Sequence, residues 1–453
     1  MLKTEENNKK IQNEALHLLQ ELIKNKCVNH GKVESGNEIK SVKTLTKYFD
    51  SYGLSDYEIF EPYKTRGNLL LTLTGGSSSR SLTLQSHLDV VPATDNWSVD
   101  PFRGVVKDDW VYGRGTIDML LYTATQAVTV THLIHSGWKP NGMLKFLAVA
   151  DEEAGGMCGA RWLVENVPNK IKTDYLIGEL GGAILETPSG TKMGIMNAEK
   201  GPGWVRMKIE GVSGHGSYPF RSKNALEMMS SIISNMKHNP PPVTITPEWI
   251  NFVDGLGLNK FIRFLLTHKR TVDFAINQLA KRQLGLAKVF HALTRMTVSP
   301  NVGNAGNKVN VIPDQAFLET DIRLLSGQNK KDVLKYLDSV IPKEFENSVD
   351  TEFVYLQTGS SDKWNNEFTD IFSESYKMIH PNQDISSVFI PGVTDAQHFR
   401  KIGIKCYGAC VLSNKVDVGL MTDLYHGKDE RIPLEALTES VQFYSSVIQK
   451  YLK

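Results

Sequence analysis

Cysteine is scarce in this chain, with four among 453 residues. Cys27, Cys158, Cys406 and Cys410 include no pair at the two-residue spacing of a zinc knuckle or redox motif, because three residues separate Cys406 from Cys410. This argues against a disulfide scaffold, and all four are expected to be reduced structural thiols of a cytoplasmic protein. Long apolar runs are missing too. The longest, such as residues 144–150, fall far short of the roughly 20 residues that span a bilayer, so no stable membrane insertion is expected. The first sixteen residues mix charges of both signs and lack the apolar block of a secretory signal. Net charge is nearly absent: 51 basic and 50 acidic side chains leave +1. No overall field recruits nucleic acid or an acidic surface, which leaves a small molecule or peptide as the expected partner. Repeats and low-complexity tracts are lacking, apart from a polar Gly-Ser turn at residues 75–79.

What remains is the composition of a globular chain, 41% apolar and 22% charged, long enough for two domains. Residues 8–50 read as helical, with Leu16, Leu19, Leu22 and Ile23 at helix spacing. Strands follow at 68–74 and 81–91, then a mostly buried helix at 116–135. A nearly all-apolar run at 142–150 has the pattern of a strand buried on both faces, and 175–178 is a further strand. This alternation predicts an α/β layer architecture. From about residue 200 the pattern changes. A half-exposed strand at 204–210 and an amphipathic helix at 224–236 precede a long helical stretch from Pro242 to about His291. Two strand-like runs (296–304 and 310–324), a helix (331–340) and a strand (351–356) complete the order strand-helix-strand-strand-helix-strand. That order resembles a separate ferredoxin-like α+β unit. The last 90 or so residues return to α/β character and end in a helix.

Five short segments concentrate metal-binding side chains. His87-Leu88-Asp89 ends a strand, where residues two apart share a face, so Asp89 can orient the His87 ring. Taken alone, a buried histidine–acid pair would explain it as well. Asp118 follows Gly113-Arg114-Gly115 at a helix start, where simple capping is the rival. Asp151-Glu152-Glu153 follows the all-apolar strand, at the end where α/β sheets form their sites, and three adjacent acids there call for a cation. Glu179 ends the next strand. His426 lies in a late loop, Tyr425-His426-Gly427-Lys428-Asp429-Glu430. Two histidines and several carboxylates suit zinc, cobalt or manganese, and two metals sharing one carboxylate need about this inventory.

The strings SHLDVVP, GRGTID, DEE, GEL and YHGKDE, in this order from about residue 65 to the C-terminus, resemble metallopeptidase family M20. The resemblance implies a discontinuous zinc-peptidase-like catalytic domain, residues 1–198 and 360–453, with an inserted lid domain, residues 199–359. It implies His87, Asp118 and Glu179 on one metal and Asp118, Glu153 and His426 on the other, with Glu152 as general base and Asp89 beside His87. In the lid, His215 of GVSGHGSYP would help bind the oxyanion. Asn310 of KVNVIP and Arg323 of DIR would hold the substrate's carbonyl or carboxylate. Gly392 and Thr394 of GVTD would line the site. The implied cofactors are two divalent metal ions per chain, zinc first, with cobalt or manganese as alternatives. The implied reaction is hydrolysis of an N-acyl amino acid or small peptide with a free carboxylate. Deacylation of one specific acetylated or succinylated metabolite is the alternative. A catalytically dead relative would lack a ligand or the base, and none is missing. A homodimer through the lid is also allowed by the resemblance.

Two departures stand out. Leu120-Leu121 replaces the usual lysine and glycine, which implies altered packing. The insertion at about 242–291 resembles that of the carboxypeptidase S and N-acyl amino acid hydrolase branch. Its Lys260, Arg263, Lys269, Arg270, Lys281 and Arg282 are interspersed with Phe and Leu. A solvated basic face on an ordinary amphipathic helix is the reading preferred from sequence, ahead of a membrane-surface helix.

Overall fold

The computed structural model of the chain describes residues 5–453. A mixed ten-stranded sheet runs in the order Tyr57–Tyr63, Arg66–Gly75, Gly142–Val149, Ser81–His87, Tyr175–Gly178, Lys405–Gly408, Gly190–Glu199, with three further strands on the last of these. The central strands Gly142–Val149, Ser81–His87, Tyr175–Gly178 and Lys405–Gly408 are parallel to one another. Their carboxyl ends therefore lie along one edge, and the chain delivers His87, the 151–153 turn and Glu179 to that edge. Both faces are covered. Within Gly142–Val149, Leu144, Phe146 and Ala148 enter one core while Leu147 and Val149 enter another, the period-two alternation of a strand between two helical layers.

The helical stretch expected over 8–50 is two helices, Glu5–Lys24 and Ile39–Asp50. The buried helix expected over 116–135 runs Leu120–His135, against the helices Glu5–Lys24 and Leu434–Tyr451. It carries threonines on nearly every side; the hydroxyls of Thr125, Thr129 and Thr131 turn back onto the helix, and that of Thr123 donates to His87 O. Thr125 donates to Leu121 O and Thr129 to Thr125 O, each at 2.7 Å, so that no buried hydroxyl there is left without an acceptor.

A second, antiparallel sheet orders its strands Thr297–Ala305, Gln315–Leu324, Gly201–Glu210, Val349–Leu356. Val205, Met207, Leu318 and Ile322 pack against Ile232 of helix Ala225–His238 and Leu337 of helix Lys330–Val340. The element order is the strand-helix-strand-strand-helix-strand read from sequence. The stretch 242–291 is not one long helix but four short ones: Pro247–Gly255, Lys260–Thr267, Val272–Ala280 and Leu284–Leu293. Gly257, at φ +61°, turns the chain after the first, and the Asn259 side chain caps the second by accepting Ile262 N–H. They close a further core around Trp249 and Phe290 that includes Ala198 and Phe389 of the large sheet.

The chain leaves the large sheet through Glu199-Lys200-Gly201 and returns through residues 357–361. These two crossings are hydrogen-bonded to each other: Ser360 pairs with Glu199, Ser361 with Ala198, and Gln357 N–H donates to Pro202 O at 2.8 Å. At Gly201 a Cβ would stand 2.2 Å from the Gln357 carbonyl oxygen, so only glycine allows this approach. Among the described residues, all four cysteines are buried and unpaired, and no helix is long and apolar enough to cross a membrane.

Candidate metal centre and active site

The carboxyl-end edge of the parallel strands gathers every predicted metal ligand. Three groups of possible ligands form, His87 with Asp118 and Glu179, Asp118 with Glu153 and His426, and His87 with Glu152 and Glu153; the ligand atoms of each lie within 4.8 Å of one another. Asp118 belongs to the first two. Its Oδ1 is 3.0 Å from His87 Nε2, and its Oδ2 is 2.9 Å from His426 Nε2. Glu179 Oε2 stands 3.7 Å from His87 Nε2, and Glu153 Oε2 stands 3.2 Å from His426 Nε2. Helix capping does not explain Asp118, because the following helix has no side-chain cap.

Each ligand is held by its own neighbours. His87 is fully buried, and its Nδ1–H donates to the backbone carbonyl of Asp89 at 2.9 Å, which leaves the Nε2 lone pair facing the cluster. The Asp89 carboxylate is farther away, 3.6 Å from Nδ1. The strand stops at His87, so strict alternation does not carry to Asp89. That carboxylate accepts the backbone N–H groups of Glu152 and Glu153, each at 3.2 Å, and Asn29 Nδ2 at 2.9 Å. Asp89 thus orients His87 with its main chain and holds the acidic turn with its side chain.

Two supports have no counterpart in the sequence reading. Buried Glu430 accepts Ile117 N–H (2.7 Å) and Asp118 N–H (3.1 Å) on one oxygen. Its other oxygen accepts Gly115 N–H (3.1 Å) and Arg114 Nη1 (2.8 Å). This carboxylate shapes the loop that presents Asp118. Buried Arg66 donates Nη2 to Asp151 Oδ1 (2.7 Å) and pairs with Glu38 at 2.8 Å through both Nε and Nη2. Asp151 in turn accepts Cys158 N–H and Asn29 Nδ2. Glu430 lies in the same string as His426, but nothing in local spacing links it to Gly115 three hundred residues earlier. Arg66 carries no signal at all.

The electrostatics are those of carboxylates crowded out of water. Burial, with Asp118 nearby, raises Glu153 to about 7, and burial raises Glu179 to about 6. Burial and Glu179 push Glu152 well above the carboxylate range. Asp118 goes the other way: burial opposes ionisation there, but hydrogen bonds from His426 and His87 bring its carboxyl well down. The Oε1 atoms of Glu153 and Glu179 are buried with no hydrogen-bond partner. Unpartnered acidic oxygens converging on two imidazoles fit divalent cations, since a cation supplies the charge and the ligand contact that the protein withholds. Glu152, largely buried, accepts no hydrogen bond on its carboxylate among the described residues; its Oε2 is 3.9 Å from His87 Nε2.

The other predicted residues lie apart from this cluster. His215 is exposed in a two-residue strand paired with Val311–Ile312. Its Nδ1 accepts Ser217 N–H at 3.1 Å, which places the proton of the neutral ring on Nε2. Asn310 is adjacent, its carbonyl accepting Gly216 N–H at 2.9 Å. Arg323 donates Nε to Asp321 at 3.0 Å. Gly392 faces open space, whereas both donors of buried Thr394 go to Glu199, N–H at 2.7 Å and Oγ1 at 2.9 Å. No hydrogen bond or ion pair joins His215, Asn310 or Arg323 to the metal ligands among the described residues.

Fold and site together define an α/β metallohydrolase, its candidate ligands gathered at the carboxyl-end edge of the parallel strands. The chain belongs to peptidase family M20/M25/M40, whose model matches residues 83–450. It is 27% identical over 398 residues to "probable carboxypeptidase S-like 2" of Dictyostelium discoideum, covering 83% of this chain and 73% of that one. It is 29% identical over 388 residues to an N-fatty-acyl-amino acid synthase/hydrolase of Xenopus tropicalis, covering 81% and 71%. An M20 family metallo-carboxypeptidase of Sulfolobus solfataricus has the same fold, at TM-score 0.71 and 19% identity, covering 97% of this chain and 99% of that one. The chain is thus a metal-dependent hydrolase of peptide or linear amide C–N bonds.

Proposed function

We propose that this hydrolase uses two metal ions, zinc in the first instance, to cleave N-acyl amino acids or small peptides that bear a free carboxylate. The observation that carries the two-metal reading is the position of Asp118, one carboxylate shared by two complete ligand groups. His87, Asp118 and Glu179 would hold one ion, and Asp118, Glu153 and His426 the other; cobalt or manganese suits the same donors. Bound metal supplies electrophilic activation of water and of the scissile carbonyl. Glu152 moves the proton: its carboxylate takes one from the attacking water and delivers it to the departing amine.

The substrate class rests on the unit spanning residues 199–359, which we assign as the lid. His215 presents Nε2–H outward as a donor for the developing oxyanion, and Arg323 offers a planar fork to a carboxylate. Both must approach the metals for chemistry, so closure of the lid is part of the cycle. The carboxypeptidase S-like and N-acyl amino acid relatives support a substrate of this kind.

The test is metal analysis joined to a hydrolysis panel. Close to two transition-metal ions per chain are expected, lost to a chelator together with activity and restored with zinc, cobalt or manganese. Glu152→Gln should keep both ions and lose about 10²–10⁴-fold in turnover; Asp118→Ala should lose metal and activity together. An active protein indifferent to chelators, or Glu152→Gln at near-normal turnover, refutes the assignment.

A further inference from the structure

The helical insertion carries a surface that the hydrolytic reaction does not use. Its buried side is well defined: Leu266, Val272, Ile276, Ala287 and Phe290 enter one core with Trp249. Its outward side is not polar. Phe261 is 69% exposed, Phe264 52%, Phe274 57% and Leu284 58%, on three consecutive helices that pack against one another. Phe261 and Phe264 are three apart on helix Lys260–Thr267, and Phe264 stacks on His268 at 5.2 Å, so these rings form one stripe away from Leu266. A solvated basic face would turn its apolar residues inward, and these point out.

Charge on this stretch is as one-sided as the apolar exposure. Between residues 260 and 288 lie seven lysines and arginines and a single acid, Asp273, a net +6 within a chain whose total is +1. Among the described residues the only ion pairs of the stretch are Arg263 with Asp254 and Asp273 with Arg295. Lys260, Lys269, Arg270, Lys281 and Arg282 are exposed and have no acidic partner. Exposed aromatic and leucine side chains ringed by unpaired cations match a surface that is anionic outside and apolar beneath.

We propose that the outer face of helices Lys260–Thr267, Val272–Ala280 and Leu284–Leu293 is a peripheral docking surface for an anionic lipid bilayer. The cations sit among the headgroups, and Phe261, Phe264, Phe274 and Leu284 enter the boundary of the acyl region. No helix spans, so the association is reversible and falls with salt. A protein partner or a second copy of this chain would need acidic side chains to meet these cations, and the face offers its own twin only like charge.

The intact, metal-loaded protein would be sedimented with vesicles of phosphatidylcholine alone, and with three parts phosphatidylcholine to one part phosphatidylserine. Binding is expected to the mixed vesicles only, and to be lost at high salt. Phe261→Ser with Phe264→Ser, and separately Lys269→Ala with Arg270→Ala, should each weaken it by on the order of tenfold or more. Hydrolysis of a water-soluble substrate should be unchanged in both, which shows that the variants fold. No binding to the mixed vesicles, or binding that both variants retain, overturns the proposal. So does a sedimentation-velocity shift from dimer to monomer in the Phe variant, which would assign the face to a second copy.

Discussion

Arg66 and Asp151 form a buried ion pair, 2.7 Å from Nη2 to Oδ1, immediately before the acidic turn that carries Glu152 and Glu153. Removing the guanidinium leaves Asp151 and Glu38 buried without it. Arg66→Met should therefore destabilise the fold by about 3–5 kcal/mol, the range for breaking one side of a buried pair. Arg66→Lys keeps a charge but cannot span Glu38 and Asp151 with a fork, so it should recover only part of that loss. Urea unfolding of both variants checks this, and an unchanged midpoint for Arg66→Met would show that the pair is not structural.

Glu430 predicts a change in metal affinity without any change of ligand. All four of its contacts are donors, so Glu430→Gln must turn an amide NH2 toward at least one of them. Metal binding should weaken by roughly 10–100-fold, as for other residues that orient a ligand from behind. Competition with a chromogenic chelator measures it directly. Wild-type affinity would mean that the Asp118 loop holds its shape unaided.

Asp321 holds the Arg323 guanidinium that a substrate carboxylate would need. If Arg323 captures a substrate carboxylate, Arg323→Ala should raise KM for an acid by about 10–100-fold, the worth of a charged hydrogen bond. The matching amide should be affected much less. Asp321→Asn should act oppositely and lower KM for the acid, because the fork is released from its resident partner. Equal losses on acid and amide in Arg323→Ala would exclude carboxylate recognition.

Outside the candidate metal cluster, Glu14 gives an acid-stability signature. Burial raises its carboxyl, but hydrogen bonds from His132, Tyr48 and Tyr52 outweigh that and bring it down to about 2. A folded-state value below the usual 4.5 means stabilisation present in full above about 4.5 and lost as pH falls through about 2. The contribution is on the order of 2–3 kcal/mol. Glu14→Gln should lower stability at pH 6 while flattening its decline between pH 4.5 and 2. Denaturant midpoints across that range check the slope, and parallel curves for the two proteins would assign the acid lability elsewhere.

Much of this was legible in the chain. Residues 142–150 announce a two-faced buried strand because no polar side chain other than Lys145 interrupts them, and Lys145 reaches out to Lys170 O and Lys172 O. The acids after that strand follow from sheet geometry, and His426 from its fellow ligands. What sequence could not show depends on approach in space. Alternation suggested the Asp89 carboxylate beside His87, but the strand ends two residues before Asp89, and the Asp89 carbonyl takes the nearer place. That Glu199, two hundred residues away, accepts both donors of Thr394 is likewise invisible in the chain. In the basic run at 260–282 the cations are exposed as a solvated face requires, but a charge count cannot tell that Phe261 is exposed beside them.

The paired crossings between the two sheets carry a mechanical consequence. Ser360 with Glu199 and Gln357 with Pro202 tie the outgoing and returning strands into one ribbon, packed through the bare backbone of Gly201. Two separate tethers would let the second sheet twist and slide over the first. A two-stranded ribbon resists shear within its own plane and bends across it, so it behaves as a flexure with one soft axis. Lys200, inside that ribbon, donates to Ala292 O, Arg295 O and Thr297 Oγ1, which ties it to the end of the helical insertion and the start of strand Thr297–Ala305. If the second sheet closes over the metal cluster as proposed, a joint of this kind would confine the approach of His215 and Arg323 to an arc.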